Sequence, residues 1–158
     1  MQKSFWVENL ATVGGVGKAP KAPGTFGTLP ALPLVLALSF LGEVLWMLAT
    51  LVLVMLAVIV ASLYEKQTLR HDAKEVVIDE VAGFAVAMLW LPITWQSFLA
   101  AFVLFRFFDV VKPPPIRQVD KKVPGGLGVV ADDVLAGVFS NLILQWVYWN
   151  TGWLGQSL

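Results

Sequence analysis

The sequence predicts an all-α integral membrane helical bundle, with about five membrane-embedded helices arranged as two hairpins plus a C-terminal helix, in a single domain covering residues 1–158. Three observations predict it. The chain is 58% hydrophobic and only 14% charged, against roughly 25% charged in a soluble domain. All eleven Lys and Arg fall in three polar pieces, Met1 to Pro23, Glu65 to Glu80 and Arg106 to Asp133, separated by apolar runs. No Ser/Gly linker, low-complexity stretch or internal repeat divides the chain.

The elements follow in order. Met1 to Lys21 holds Lys3, Glu8, Lys18 and Lys21 among glycines and has no apolar core of signal-peptide length, so the membrane segments are expected to remain in the mature protein. Leu29 to Leu41 is apolar but short and interrupted by Pro30 and Pro33. Gly42-Glu43 then reads as a tight turn into Val44 to Tyr64, an uncharged run of about 21 residues. A helix rising about 1.5 Å per residue carries that run just across a hydrocarbon core of about 30 Å. Val81 to Leu91 and Phe98 to Phe108, joined by the uncharged Pro92 to Ser97, read as a second hairpin. Val134 to Trp149 is the last apolar stretch, with Trp146, Tyr148, Trp149 and Trp153 placed as an interfacial aromatic belt.

By the positive-inside rule the three basic pieces face the cytoplasm, which gives five crossings with the C-terminus outside. Runs of about 11 apolar residues are too short to span unaided, so re-entrant segments are the alternative. Either way the polar pieces share one face.

Those pieces carry the chemistry. Asp79 and Glu80 stand where a charged loop enters an apolar helix, and Gly83 lies on the face of Asp79 at i+4, where another group can approach closely. The plain alternative is two acids favoured by a helix N-terminus. Arg106 and Asp109 share a face at i,i+3, and Lys112 precedes Pro113-Pro114-Pro115, which ends the helix; the alternative is an interfacial ion pair. Pro124-Gly125-Gly126-Leu127-Gly128 reads as a tight turn leading to Asp132-Asp133, with Gly137 further along. Adjacent carboxylates repel unless neutralised and invite a hard cation such as Mg²⁺; a solvated helix cap is the alternative. Gly24 and Thr25, within Ala22 to Thr28, precede an apolar helix whose free N–H groups attract anions, or form a flexible loop with a threonine cap. His71, the one histidine, with Asp72 either orients a ligand or lies in a solvated loop.

Composition also excludes. With no cysteine there are no disulfides, thiolate metal sites or thiol nucleophiles, and a single histidine excludes a phosphatase that needs one histidine as nucleophile and another as acid. The formal net charge of zero gives no sign of nucleic-acid binding.

Four blocks, in order and spread from Gly14 to Gly137, make the chain resemble the phosphatidylglycerophosphatase A family. Pro20 to Thr28 is similar to the family's Pro-x-Ala-Pro-Gly-Thr-x-Gly-[Ser/Thr] block, and Ile78 to Gly83 to Ile-Asp-Glu-x-x-Gly. Phe105 to Ile116 matches Phe-Arg-x-Phe-Asp-x-x-Lys-Pro-x-Pro-Ile without a break, and Gly125 to Asp133 through Ala136-Gly137 matches equally well. Ala73 stands where relatives often have proline and Thr28 where serine is common; neither departure touches a charged position.

The resemblance implies hydrolysis of phosphatidylglycerophosphate to phosphatidylglycerol and phosphate, Mg²⁺ dependence, and a multi-pass enzyme of the bacterial inner membrane with its active site facing the cytoplasm. On that basis Asp79, Glu80, Asp109, Asp132 and Asp133 are expected to hold one or two Mg²⁺, while Arg106 and Lys112, with Gly24 and Thr25, bind the substrate phosphate. These seven charged residues form the expected catalytic set, with either water or an aspartate as nucleophile. The partners are the lipid and the bilayer. A small transporter or channel using the intramembrane charges is the alternative from a different class. A transferase joining a nucleotide-linked alcohol to lipid is a nearer rival, but the spaced Asp-x-x-Asp-Gly pattern that such enzymes resemble is missing.

Overall fold

The computed structural model describes residues 4–70 and 73–155, and among the described residues every regular element is a helix. In chain order these are α1 (Phe5–Ala11), a 3-10 turn (Val16–Lys18), α2 (Pro23–Thr28), α3 (Ala31–Ser39), α4 (Glu43–Thr68), α5 (Ile78–Ala87), α6 (Trp95–Val111), α7 (Ile116–Lys122) and α8 (Gly125–Thr151). Each of the five apolar runs lies within, or largely within, a helix.

Their lengths separate two long helices from shorter ones. α4 and α8, with 26 and 27 residues, are long and apolar enough to cross a membrane. α3 and α5 have nine and ten residues. At about 1.5 Å per residue neither reaches much beyond half of a hydrocarbon core. Less than half of the apolar stretch of α4 or α8 is buried, unlike the core helix of a soluble protein. Leu45, Leu48, Val52, Met55, Leu56 and Ile59 of α4 point outward and exposed. So extensive an apolar face is not tolerated in water and suits lipid.

Helix boundaries follow local chemistry. Gly42, at φ 82°, turns the chain into α4, whose first turn carries Glu43 against the positive end of the helix dipole. Thr94 caps α6 by accepting a hydrogen bond from the Ser97 N–H at 3.2 Å. Its hydroxyl also donates to the Leu154 carbonyl at 2.6 Å, tying the chain after α8 to the start of α6. α6 ends as expected at Lys112, before three prolines.

The start of α8 departs from the sequence reading. Gly125 to Gly128 is not a turn but the first turn of the helix, so Asp132 and Asp133 lie about two turns inside it rather than at a cap. Glycine weakens a helix by about 1 kcal/mol relative to alanine, and here close packing requires it. A Cβ on Gly126 would strike the Ser62 backbone of α4, and one on Gly128 the Val123 carbonyl.

α5 is the central helix, in contact with α2, α3, α4, α6 and α8, and eight of its ten residues are buried. It is apolar on all sides beyond its first turn, as a helix enclosed by others must be. Phe84 meets Phe105 of α6 edge to face at 6.1 Å. Against α8 the backbones themselves touch. A Cβ on Gly83 would lie 2.6 Å from the Asp133 carbonyl oxygen and 2.7 Å from the Phe105 ring, and a Cβ on Gly137 would overlap the Gly83 carbonyl.

This close approach predicts that Gly83→Ala lowers stability by about 1–3 kcal/mol through overpacking, although alanine is the better helix former. Thermal unfolding of the purified protein in detergent checks it; a melting temperature at or above wild type would contradict the contact.

Candidate active site

The backbone contact at Gly83 and Gly137 places Asp79 and Asp133, each one turn earlier on its own helix, at the same end of the bundle. α6 ends there too, contributing Arg106, Asp109 and Lys112. All seven charged residues singled out in the sequence, Asp79, Glu80, Arg106, Asp109, Lys112, Asp132 and Asp133, line one cavity of about 280 Å³. Three distant stretches of chain thus meet in one place.

Arg106 ties α5 to α6. Its Nη1 lies 2.6 Å from Asp109 Oδ2, the expected i,i+3 pair, and 3.3 Å from Glu80 Oε1. α2 closes over this group with its glycines: a Cβ on Gly24 would meet Glu80 Oε1 and Arg106 Nη1, and one on Gly27 would meet Glu80 Oε2 and Val77. Gly24 therefore lines the cavity, as expected, by leaving room for the ion pair. Thr25 does not line it. The segment is a short helix rather than a flexible loop, and Thr28 bonds back to the Gly24 carbonyl at 2.9 Å instead of capping.

Lys112 ties α6 to α8. Its Nζ donates to Asp132 Oδ2 and, at 3.1 Å, to Asp120 Oδ1 of α7. Burial pulls the Lys112 ammonium down, but its bonds to Asp132 and Asp120 outweigh this and hold it above its ordinary range. It stays cationic at any working pH.

Asp79, Asp132 and Asp133 are only 6%, 4% and 4% exposed, which removes the solvated-cap reading for Asp132 and Asp133, while Asp79 does lie in the first turn of α5, buried there. Asp79 Oδ1 accepts from the Glu80 N–H at 3.0 Å. Neither Asp79 nor Asp133 has an ion-pair partner among the described residues. Asp132 Oδ1 is buried with no hydrogen-bond partner among them. An acceptor left in that state costs about 1–3 kcal/mol unless something fills the place.

Two residues of the site escaped the sequence reading. Lys74 lines the cavity from the segment before α5, and Asp120 braces Lys112 from α7. The Asp120 signal was present in its eight-residue spacing from Lys112 across the prolines and in the helical spacing of Ile116, Val119 and Val123 around it. His71 and Asp72 lie outside the described residues.

Five carboxylates face three cations, Arg106, Lys112 and Lys74, so the lining carries a formal excess of two negative charges. A site so charged repels a phosphate unless a further cation enters. The donors are all hard oxygens, which suit Mg²⁺. Among the described residues no three carboxylates are grouped as a ready cage. Mg²⁺ commonly uses one or two carboxylates with waters and a substrate phosphate, so the donors fit that mode.

Comparison with known proteins decides the family: the profile of phosphatidylglycerophosphatase A matches residues 9–148. The chain belongs to the phosphatidylglycerophosphatase A family. It is 37% identical over 117 residues to the phosphatidylglycerophosphatase A of Haemophilus influenzae, covering 73% of this chain and 72% of that protein. It is 40% identical over 114 residues to that of Escherichia coli, covering 68% of this chain and 66% of the relative. No solved structure matches the chain. The family's motif blocks coincide with the cavity: its acidic and basic positions line it and its glycines form the helix contacts around it.

Because Gly24 abuts flexible side-chain ends, Gly24→Ala is expected to leave the melting temperature within a few degrees of wild type while lowering kcat/KM by roughly 10- to 100-fold, as misplacement of a positioning group does. Unchanged turnover in a steady-state assay would show that the Glu80–Arg106 placement is not critical.

Proposed function

We propose that the chain is an Mg²⁺-dependent lipid phosphatase that hydrolyses phosphatidylglycerophosphate to phosphatidylglycerol and inorganic phosphate at the cytoplasmic face of the bacterial inner membrane. Membership of the family supports an enzyme of the phosphoric monoester hydrolase class. The single observation that carries the mechanism is the convergence of five carboxylates and both motif cations on one cavity, with Asp132 Oδ1 buried and unpartnered.

In this reading Arg106 and Lys112 bind and orient the phosphate. The two ion pairs of Arg106 run through Nη1, so other donors of its guanidinium remain to meet phosphate oxygens. Lys112 has three N–H donors, two of them committed to Asp132 and Asp120, which leaves one. Asp132, through Oδ1, would hold Mg²⁺ together with at most one neighbouring carboxylate, Asp79 or Asp133, while Glu80 and Asp109 brace Arg106. When bound, the ion supplies Lewis acidity toward the phosphoryl oxygens and the attacking water.

Water is the favoured nucleophile. Its oxygen forms a bond to phosphorus as the bond to the glycerol oxygen breaks. Asp79 and Asp133, without ion-pair partners among the described residues, are the carboxylates available to take the proton and return it to the leaving oxygen.

Topology is consistent with a lipid substrate. Every Lys and Arg belongs to the three polar pieces of the sequence that also supply the cavity lining, which by the positive-inside rule supports a cytoplasmic site. The phosphate then stays in water while the acyl chains remain in the bilayer beside exposed apolar residues of α6 such as Phe107 and Val110. α3, α5 and α6 are embedded against the two spanning helices. The transporter reading gains nothing from the family, and the helices continue directly beyond the cavity with Ala82, Gly83, Phe84, Ala136 and Gly137, none of which has a polar side chain.

Phosphate release from phosphatidylglycerophosphate by the purified protein is the test. Chelation of Mg²⁺ and the Asp132→Asn substitution are each expected to reduce turnover by about 10²-fold or more. Equal release by wild type and Asp132→Asn would sink the assigned metal site, and ion flux without phosphate release would favour a transporter.

A further inference from the structure

A second cavity, of about 480 Å³, lies at the end of the bundle remote from the carboxylates. Glu43 and Trp46 from the start of α4, Trp90 from the turn after α5, and Tyr148 and Trp149 from the last third of α8 form its walls. Four aromatic rings and a carboxylate therefore surround one space.

Glu43 has no counter-ion there. Residues 22–64, 81–105 and 134–155, among which the described residues of this end of the bundle fall, contain no other Asp, Glu, Lys, Arg or His. Among the described residues Glu43 makes no ion pair. It is exposed at the start of α4, so its charge is open to whatever enters the cavity.

The wall is also held in place at a conformational cost. Trp90 has φ 59°, a left-handed backbone that bulky residues rarely adopt. Its indole N–H donates to the Glu43 backbone carbonyl at 3.4 Å. The preceding turn is fastened to α8: Asn141 Nδ2 donates to the carbonyls of Ala87 and Leu89 at 3.0 and 2.8 Å, and Gln145 Nε2 to that of Leu89 at 3.1 Å. Backbone strain persists only where surrounding bonds over-determine it, often at ligand sites. Trp46, 5% exposed, forms the buried wall.

Aromatic faces with an adjacent carboxylate recognise an organic ammonium, the rings through their negative π faces and the carboxylate by charge. The volume exceeds an ammonium alone and falls in the range of small-ligand pockets. We propose that this cavity binds the ammonium head of a zwitterionic phospholipid in the membrane leaflet opposite the active site. The carboxylate disfavours an anionic head, so the site selects by charge. This inference is independent of the phosphatase chemistry.

Native mass spectrometry of the purified full chain tests it, with dioleoyl phosphatidylethanolamine and its N-acetyl derivative, which lacks the cation, as paired ligands. Wild type is expected to retain the ethanolamine lipid at least about fivefold better than the N-acetyl form. Glu43→Gln and Trp149→Leu should abolish that preference, Trp149→Phe should keep most of it, and phosphate release should be the same in all of them. Trp149 is 79% exposed, so its replacement leaves packing intact. Competition by tetramethylammonium would show that any small ammonium suffices, and its failure to compete would assign the site to the lipid head itself. Equal retention of the two lipids by wild type, or a preference that survives in both Glu43→Gln and Trp149→Leu, would overturn the proposal.

Discussion

The contact of bare backbones between α5 and α8 at Gly83 and Gly137 is the constraint on which the rest of the structure depends. Each glycine lies one helical turn beyond an aspartate, Asp79 on one helix and Asp133 on the other. Bringing the helices to touching distance therefore brings like charges into one enclosed place. Charges so placed are expensive in a low-dielectric setting, and the neighbouring elements read as answers to that cost. Arg106 reaches across from α6 to Glu80, Lys112 to Asp132, and α2 folds down on Glu80 with two glycines. What remains unbalanced is the excess negative charge and the open Asp132 Oδ1. The proposed cation and phosphate would answer that unmet charge.

The same logic explains why glycine recurs in helices where it is a poor helix former. Gly24 and Gly27 seat α2 on the Glu80 carboxylate, Gly126 seats α8 on α4 at Ser62, and Gly83 and Gly137 seat α5 on α8. Each position exchanges helix propensity for closeness. Between membrane-embedded helices, where lipid removes much of the hydrophobic drive to associate, small residues at contacts are the usual means of packing. The active-site geometry and the stability of the bundle thus rest on the same residues.

Much of this was legible in the sequence because it depended on local spacing. The i,i+4 relation of Asp79 to Gly83, the i,i+3 pair of Arg106 and Asp109, and the proline stop after Lys112 all follow from helix periodicity. The apolar runs marked the helices. What was not legible depended on tertiary context. A run such as Gly125 to Gly128 looks like a turn until Gly126 is seen to abut α4 and Gly128 the Val123 carbonyl. The Asp120 brace on Lys112 depends on how α7 folds back after the three prolines, which local spacing does not fix. Thr25 matched a motif yet sits off the cavity wall, since membership of a block does not fix which way a side chain faces. The short lengths of α3 and α5 were visible as short apolar runs, but how such helices sit against two neighbours long enough to span was not.

The central claim is that one cavity, assembled by the α5–α8 contact, holds both the cation and the phosphate. Crystals of the protein grown with Mn²⁺ as a scattering substitute for Mg²⁺ and with a non-hydrolysable phosphonate lipid would test it most directly. An anomalous peak within coordination distance of Asp132 Oδ1, with the phosphonate against Arg106 and Lys112, is the expected result. A peak elsewhere, or a phosphonate seated away from these side chains, would contradict it.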